Sequence, residues 1–307
     1  MSEQESLLDN HEPLEDIQYV GLDADGTLWP WGDMMAPAWD AFHDTLTIET
    51  QKFGITAEAI RLAMREVFEK ERTMDLNHAY VLSQLTVLNQ ALMVGAWDPP
   101  QHTRIVMNAS QAFRAGRSRN RYLFPGIPSM LRTLRQAGLK LFVISDAPAG
   151  QVAKRVKRYN ISPSFERIFA QEDPHFEKDP DDATDNKIIQ INRQKPNIDL
   201  MHLFELAGWG DVAAEGISAK TVIIGDNPAK DVAAAMRVQC AAILAGWGTT
   251  TEENIGILQR YASHEVVSRN IGFMKGPELV SLIMQMRGKL RFAEKVEDVL
   301  PLLRIQD

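Results

Sequence analysis

Two aspartates at alternate positions, Asp23 and Asp25, follow a short apolar segment and precede a glycine-containing turn. Both carboxyl groups can then face one pocket. An aspartate can attack phosphorus and form an acyl phosphate, which divides a difficult hydrolysis into two steps, and we assign this role to Asp23. A second carboxyl group can protonate the leaving oxygen and then deprotonate the attacking water, and we assign this role to Asp25. Because Asp-x-Asp-Gly is also ordinary turn chemistry at protein surfaces, the other motifs must decide between the two interpretations.

A further pair of aspartates, Asp226 and Asp231, follows another apolar segment. Mg²⁺ binds proteins through one or two carboxylates, keeps several waters and accepts substrate phosphate as a further ligand. We therefore predict that Asp23 and Asp226 bind Mg²⁺ directly, while Asp231 orients a metal-bound water from the outer coordination sphere. The alternative for Asp231 is an acid that caps the following helix or lies on its surface.

Three further residues are candidates for binding the substrate phosphate. Ser145 and Asp146 end a third apolar segment, where a hydroxyl and the N–H groups of a helix N-terminus can hold phosphoryl oxygens. Lys195 precedes a proline, and a lysine there can clamp the phosphate and offset the charge of the carboxylates. The ordinary alternatives are a helix cap for Ser145 and a solvated side chain for Lys195.

The elements that must position these residues are short buried strands and amphipathic helices. Five apolar segments are predicted strands, at residues 19–22, 139–145, 167–170, 221–225 and 241–245. Helical periodicity between them, as at residues 127–136, gives a βαβ rhythm and hence an α/β fold with a doubly wound parallel sheet. Ligands bind such sheets at the carboxyl ends of the strands, so the polar residues that follow the strands are expected to meet there.

The chain is predicted to carry a helical module inserted into this sheet. Residues 31–121 show only helical patterns, near 37–53, 57–72, 76–93 and 101–115. Connections in compact domains are usually a few residues long, so this insertion must be a module of its own, a cap. The predicted organisation is a flexible acidic tail at 1–16, a catalytic core at 17–30 and 122–307, and a helical cap at 31–121. Residues 171–194, rich in acidic residues and interrupted by prolines, are predicted to be an acidic surface loop.

The motifs occur in the order Asp-x-Asp, Ser, Lys and Gly-Asp-x4-Asp, which resembles the haloacid dehalogenase-like (HAD) superfamily over residues 17–29 and most of 123–248. The resemblance implies a Rossmann-like core, an α-helical cap inserted after the first motif, Mg²⁺ and an aspartyl-phosphate intermediate. The roles that it implies are the nucleophile Asp23, the acid/base Asp25, the phosphate binders Ser145 and Lys195, the metal ligands Asp23, Asp226 and the Asp25 main-chain carbonyl, and the metal-supporting Asp231.

The sequence also departs from the superfamily's pattern. The acidic segment before Lys195 is longer than that pattern, which leaves Lys178 and Lys187 as alternatives for the third motif. Residues 249–289 exceed the pattern as well.

Composition excludes several classes of protein. The 307 residues carry a formal net charge of −8, and no segment offers the basic surface that nucleic-acid binding requires. The single cysteine, Cys240, excludes an intrachain disulfide and a cysteine metal cage, and suits a reducing compartment. The first residues lack the features of a signal peptide, and no apolar run reaches the ~18–20 residues of a membrane span. We therefore expect a cytoplasmic protein without a membrane partner; its oligomeric state is left open.

These observations predict a Mg²⁺-dependent phosphatase that hydrolyses a phosphate monoester of a small soluble metabolite. A phosphomutase could use the same residues and would pass the phosphoryl group to a sugar hydroxyl instead of water. A non-catalytic phosphate-binding regulator is the alternative from another class, and the presence of Asp23, Asp25, Lys195 and Asp226 together argues against it. A dehalogenase would not need Asp25, and a phosphonatase would need a cap lysine that no motif marks.

Overall fold

The computed structural model describes residues 12–174, 176–209, 216–271, 281, 284–286 and 288–305. These residues form two compact units. The first, the core unit, takes its described residues from Met1–Trp29, Tyr122–Thr249 and Gly272–Asp307. The second, the helical unit, comprises Pro30–Arg121 and Thr250–Ile271.

Short strands and α-helices make up most of the described chain. The strands are β1 (Tyr19–Leu22), β2 (Lys140–Pro148), β3 (Arg167–Gln171), β4 (Ile188–Ile191), β5 (Thr221–Gly225), β6 (Ala241–Ala245) and β7 (Leu290–Ala293). The α-helices are α1 (Trp31–Thr50), α2 (Ala57–Glu71), α3 (His78–Gln84), α4 (Thr86–Met93), α5 (Pro99–Ser118), α6 (Ile127–Gln136), α7 (Ala149–Arg158), α8 (Leu200–Leu206), α9 (Ala233–Arg237), α10 (Glu252–Tyr261), α11 (His264–Ile271) and α12 (Val299–Leu302).

The core unit is built on one parallel sheet with the strand order β4-β3-β2-β1-β5-β6-β7. The chain adds strands outward from β1 to β4 and then returns to place β5 on the other side of β1. The strand order therefore reverses between β1 and β5, which is where open α/β sheets bind ligands. The predicted α/β fold with a doubly wound, Rossmann-like parallel sheet is confirmed, and β4 and β7 extend the five predicted strands.

The core unit buries an aromatic cluster on one face of this sheet. Tyr19, Phe142, Phe204 and Trp209 are packed together, with ring centroids 4.8 Å apart for Tyr19 and Phe204 and 5.1 Å apart for Phe204 and Trp209. Buried aromatic pairs in tilted or edge-on contact contribute about 0.5–1.5 kcal/mol each beyond the burial of their area. The cluster ties β1, β2 and α8 together.

Residues 171–194 are not simply an acidic surface loop. They include β4, and Asp185 is buried. Lys157 on α7 lies 2.6 Å from Asp185 and 2.9 Å from Asp182, so a lysine on the core balances the charge of these acids. Residues 177–181 are exposed, as predicted. The prediction missed β4 and the burial of Asp185 because it judged the segment from its acidic composition, which does not show where the compensating cation lies.

The predicted flexible tail falls partly outside the described residues, since the description begins at residue 12. Within the described part, Leu14 is buried and its N–H donates to the Leu302 carbonyl at 2.7 Å. Leu14 therefore packs on the core unit, while the residues on either side of it within 12–16 are exposed.

The helical unit is organised around α1 and α5. Trp39 is fully buried, with its ring centroid 5.0 Å from that of Phe68 and 4.5 Å from that of Phe113. Helix α1 begins six residues before Pro37, where the sequence analysis had placed its start. Proline has no N–H for the Asp33 carbonyl one turn earlier, and the Asn120 side chain donates to that carbonyl instead, at 2.7 Å. The helix can therefore continue through the proline.

Two other boundaries differ from prediction in this unit. The predicted helix at 76–93 is divided into α3 and α4 at Leu85, whose backbone is extended. Residues 250–271, which the sequence analysis assigned to the core, belong to the helical unit. The Tyr261 hydroxyl on α10 donates to Asp40 on α1 at 2.8 Å, and its ring is buried. None of the helices in the described part of the chain combines the length and apolar character that a membrane crossing requires.

Candidate active site

The carboxyl ends of β1 and β5 place two of the predicted site aspartates side by side. Leu22 on β1 is paired with Ile224 on β5, and the Asp23 N–H donates to the Ile224 carbonyl at 2.8 Å. Asp23 therefore leaves the sheet directly after β1, and Asp226 leaves it directly after β5. Both lie at the edge where the strand order reverses.

Thr27 connects these two carboxylates. Its Oγ1 atom lies 3.3 Å from Asp23 Oδ2 and 3.2 Å from Asp226 Oδ1. One hydroxyl proton can serve only one of the two oxygens at a time, so the threonine bridges the pair. The intervening Gly26 has φ +90°, and a Cβ atom there would lie 2.3 Å from Asp226 Oδ2. Only glycine fits this turn, on grounds of both conformation and space.

Lys195 lies between two carboxylates. Its side chain is 2% exposed, and its Nζ atom contacts Asp23 Oδ1 and lies 2.6 Å from Asp231 Oδ1. Its own N–H donates to Asp146 Oδ1 at 2.9 Å. The alternative Lys187 donates instead to the Ser162 carbonyl at 2.9 Å. Lys195 is thus the lysine that the fold brings to Asp23.

Asp231 is held by protein donors on both oxygens. Oδ1 accepts from Lys195, and Oδ2 accepts from the Asn227 N–H at 3.0 Å. The residue sits in a short π-helix, Pro228–Val232, an irregularity frequently found at functional sites. A Cβ atom at Gly225 would lie 2.2 Å from Asp231 Cγ, so the strand end needs a glycine to admit this side chain.

Burial and charge crowding shift the pKa values of these groups. Burial raises the pKa of Asp23 to about 7, with Lys195 opposing the rise and the charge of Asp231 adding to it. Burial, followed by the charges of Asp23 and Asp231, raises the pKa of Asp226 well above its ordinary value. Burial by itself would lower the pKa of Lys195, but the carboxylates of Asp23, Asp231 and Asp146 hold it well above the usual value. The carboxylates of Asp23, Asp226 and Asp231 therefore carry more negative charge than Lys195 can balance.

The same carboxylates fit a hard divalent cation. One oxygen from each of Asp23, Asp226 and Asp231 can be chosen so that all three lie within 4.8 Å of one another. Three carboxylates and one ammonium group leave two negative charges when all are ionised, which a divalent cation would neutralise. Oxygen donors are the ligands that Mg²⁺ prefers. Both oxygens of Asp231 accept hydrogen bonds from the protein, and so do both oxygens of Asp23, whereas Asp226 accepts from Thr27 on Oδ1. The assignment of Asp23 and Asp226 as direct ligands, with Asp231 in the outer coordination sphere, stays a prediction.

Asp25 has partners that the sequence analysis did not identify. Arg155 on α7 contacts Asp25 Oδ1 with Nη1, and Trp29 donates its indole N–H to the same oxygen. Arg155 is buried, on the side of α7 that also buries Val152 and Val156. An arginine in the apolar stripe of an amphipathic helix is the sequence signal that could have marked it, because a charged residue seldom occurs there unpaired.

Ser145 and Asp146 are placed differently from prediction. β2 continues to Pro148, so the helix N-terminus begins at Ala149 and not at Ser145. Ser145 is buried and its Oγ atom accepts the Ala147 N–H at 3.1 Å. The Asp146 carboxylate accepts from the Lys195 N–H and lies 3.1 Å from Lys230 Nζ. A register shift in the β2–β3 pairing after Ser145 carries the strand past the predicted end.

Replacing Asp226 with asparagine is expected to raise the melting temperature of the metal-free protein and to remove the stabilisation that Mg²⁺ provides. The neutral amide relieves the buried repulsion but binds a cation poorly. Thermal unfolding with EDTA and with excess Mg²⁺ measures both effects.

The pH dependence has a defined sign. A pKa raised on folding means that the folded protein keeps a proton that the unfolded chain has lost, so stability falls as pH rises. For Asp23, stability is expected to fall between the ordinary pKa of 3.8 and the raised pKa of about 7. The metal-free wild type should lose stability over this range more steeply than Asp226→Asn. If Asp226→Asn melted at a lower temperature than the wild type in EDTA, the proposed repulsion between the buried carboxylates would be contradicted.

Comparison with known proteins gives one family match. The profile of the family described as haloacid dehalogenase-like hydrolase matches residues 55–245, more than half of the chain. No curated protein matches the sequence.

Similar solved structures share little sequence with this chain. The HAD-hydrolase YfnB of Bacillus subtilis, solved bound to magnesium, is 14% identical, with 95% of this chain and 100% of that chain covered and a TM-score of 0.48. A 2-haloacid dehalogenase from Pseudomonas syringae pv. Tomato DC3000 is 19% identical, with 86% and 98% covered and a TM-score of 0.46. A predicted phosphoglycolate phosphatase from Haemophilus somnus 129pt is 14% identical, with 93% and 97% covered and a TM-score of 0.43.

Proposed function

The chain belongs to the haloacid dehalogenase-like hydrolase family, and from this premise we propose that it is a Mg²⁺-dependent phosphatase acting on a phosphate monoester of a small soluble metabolite. The observation that carries the proposal is the group of Asp23, Asp226, Asp231 and Lys195 at the end of β1 and β5. A carboxylate nucleophile beside a cation site and a lysine suits attack on a phosphoryl group, whose charge needs both.

Asp23 is the proposed nucleophile. One oxygen of its carboxylate attacks phosphorus, and the bond from phosphorus to the leaving oxygen breaks. The leaving oxygen takes a proton from Asp25, which gives the alcohol and an aspartyl phosphate on Asp23. Lys195 contacts Asp23 Oδ1, so its ammonium group lies where it can also offset the charge of the incoming phosphate.

The second step returns the enzyme to its starting state. Asp25 takes a proton from a water molecule, which attacks phosphorus and breaks the bond between phosphorus and Asp23. Inorganic phosphate is released and Asp23 is again a carboxylate. Bound Mg²⁺ would supply positive charge that neutralises the phosphoryl oxygens. Asp23, Asp226 and the Asp25 main-chain carbonyl would hold it, and Asp231 would support it while holding Lys195 in place.

We assign substrate selection to the helical unit, as the proposed cap. The assignment rests on its place in the sequence, since the insertion begins directly after the turn that carries Asp23 and Asp25. The residues Thr250–Ile271 belong to this unit as well. A deletion that tests the cap therefore has to remove both segments, because α10 would otherwise lose the partner on which Tyr261 is buried.

A phosphate-release screen tests the proposed function. We expect the protein with Mg²⁺ to release phosphate from p-nitrophenyl phosphate and, faster, from a subset of some tens of phosphorylated metabolites. Lys154→Met, a change at an exposed position on α7, purified in the same way, should retain wild-type activity. The wild type freed of metal by EDTA should be inactive and recover with Mg²⁺.

Two results would count against the proposal. Phosphate release that persists unchanged after exhaustive metal removal would exclude the Mg²⁺ dependence. Conversion of a sugar phosphate to its positional isomer, followed by ³¹P NMR and without free phosphate, would show a phosphomutase in place of a phosphatase.

A further inference from the structure

Arg155 and Trp29 both donate hydrogen bonds to Asp25, and the catalytic steps proposed above give neither residue a role. Both residues donate to the same carboxylate oxygen, Oδ1. The Arg155 guanidinium also lies over the indole ring of Trp29, 5.6 Å from its centroid, and its Nη2 atom lies 3.2 Å from Gln151 Oε1. Arg155 is 7% exposed and Trp29 is fully buried. We refer to Asp25, Trp29 and Arg155 as the Asp25 clamp.

The clamp is more rigid than a surface ion pair. A surface arginine loses side-chain freedom to form its ion pair, which leaves little net gain. Here the guanidinium is held from three directions, by the ring of Trp29, by Gln151 and by Asp25 itself. Trp29 is also tied to Asp25 through the backbone, since Gly26 donates its N–H to the Trp29 carbonyl at 2.8 Å. Two donors on one oxygen fix the rotation of the carboxylate about its bond to Cβ.

Orientation matters for Asp25 because proton transfer requires its carboxyl oxygen to reach the leaving oxygen at hydrogen-bond distance. The backbone turn at Gly26 fixes the position of the Asp25 Cα atom, but the side chain still has two torsions. Nothing in the Asp-x-Asp motif itself sets them. The donors that do so come from the end of that turn and from α7, the helix that directly follows β2.

We propose that Arg155 is a positioning residue for the acid/base Asp25, working with Trp29 to hold the carboxyl group in the orientation needed for proton transfer. This inference rests on the proposed function, because it assumes that Asp25 transfers protons. Arg155 itself touches neither the nucleophile nor the phosphate in this account. It acts through Asp25, which makes the proposal testable by a double-mutant cycle.

The experiment compares two substrates that differ in how much they need an acid. p-Nitrophenolate leaves without a proton, whereas phenolate from phenyl phosphate benefits from one. For the Arg155→Met variant, we expect kcat/KM to fall about 10²-fold with phenyl phosphate, at the lower end of what general acid catalysis contributes, and only a few-fold with p-nitrophenyl phosphate. Trp29→Phe keeps an aromatic ring and removes the N–H donor. It should also lose more kcat/KM with phenyl phosphate than with p-nitrophenyl phosphate, but by a smaller factor than Arg155→Met. Lys154→Met, exposed on the same helix, is the matched control and should show neither loss.

The cycle with Asp25→Asn separates positioning from a structural role. In the Asp25→Asn background, adding Arg155→Met should change kcat/KM for phenyl phosphate by less than about threefold, because the group that it positions is already lost. The melting temperature of each variant with Mg²⁺ identifies any that do not fold, and Arg155→Lys and Trp29→Phe then replace Arg155→Met in the cycle.

Each outcome has a defined meaning. If Arg155→Met lowers kcat/KM by the same factor for both substrates, or by the same factor with and without Asp25, the inference is overturned. If Asp25→Asn alone leaves the activity on phenyl phosphate intact, the proposed acid/base role fails and the inference fails with it. If Asp25→Asn abolishes that activity while Arg155→Met does not reduce it, the proposed function stands and only the positioning role of Arg155 is rejected.

Discussion

Replacement of Asp23 with asparagine is expected to lower kcat by at least about 10⁴-fold, as the loss of a covalent nucleophile does in other hydrolases. The amide keeps the size of the side chain, its oxygen can still accept from Lys195, and its NH2 group can donate to Thr27 Oγ1, so the fold should persist. An amide oxygen does not attack phosphorus at a useful rate. Steady-state phosphate release at saturating Mg²⁺ measures the loss.

Asp199→Asn is a matched control for this substitution. Asp199 caps α8 by accepting the His202 N–H at 3.2 Å, and asparagine caps helices about as well as aspartate does. The control should retain wild-type kcat and melting temperature. If Asp23→Asn kept more than about one hundredth of the wild-type kcat in a preparation free of other phosphatases, the nucleophile would have to be another residue.

The second large effect is expected from Lys195→Met. Methionine fills much of the space but leaves Asp23 and Asp231 buried without their shared cation. Removing one partner from a buried ion pair typically costs about 3–5 kcal/mol, because the remaining charge stays desolvated. We therefore expect the free energy of unfolding of the metal-free variant to fall by about this amount in urea titrations, together with a severe loss of activity.

Lys230→Met provides the comparison for this substitution. Lys230 lies 3.1 Å from Asp146 Oδ2, but its side chain is 31% exposed, so its loss should cost no more than about 1 kcal/mol. Mg²⁺ should restore part of the stability of Lys195→Met, since the cation takes over some of the charge compensation. If Lys195→Met and Lys230→Met lowered the free energy of unfolding in EDTA by the same amount, Lys195 would not be neutralising the buried carboxylates.

The parts of the site that follow strands could be predicted from sequence. Asp23 and Asp226 each come directly after a short apolar segment, and parallel strands end at one edge of a sheet. Lys195 was harder to predict because it comes from a loop without a local pattern, and two other lysines were alternatives. Its assignment depended on the order of the motifs. The fold brings its Nζ atom to both Asp23 and Asp231.

The clamp around Asp25 could not be predicted in the same way. Arg155 reaches Asp25 from a helix that follows the next strand along the chain, and no motif spacing relates them. Strand β7 was missed for a related reason. Its Arg291 is 4% exposed and donates to backbone carbonyls, including that of Gly288 at 3.0 Å. In the sequence, this arginine makes the short segment resemble a polar surface segment. The main-chain carbonyls that satisfy its side chain, and so allow it to be buried, cannot be recognised from the sequence.

The assignment of residues 250–271 shows a further limit of sequence patterns. Periodicity identifies the face of a helix that is buried, but not the unit against which it is buried. Tyr261 lies on such a face, and its partner Asp40 is more than 200 positions earlier in the chain. The hydrogen bond and burial that decide the assignment are long-range contacts, which a local pattern does not contain.

Trapping of the phosphoenzyme tests the central claim most directly. Asp25→Asn should still be phosphorylated by p-nitrophenyl phosphate with Mg²⁺, because this leaving group needs no acid, but it should hydrolyse the intermediate slowly for lack of a base. After acid quenching and proteolysis, mass spectrometry is expected to find one phosphoryl group on the peptide that contains Asp23, and none when Asp23→Asn is combined with Asp25→Asn. A phosphoryl group on another peptide would contradict nucleophilic catalysis by Asp23. Release of p-nitrophenol by Asp25→Asn in a single turnover, with no phosphorylated protein found after quenching, would contradict it as well.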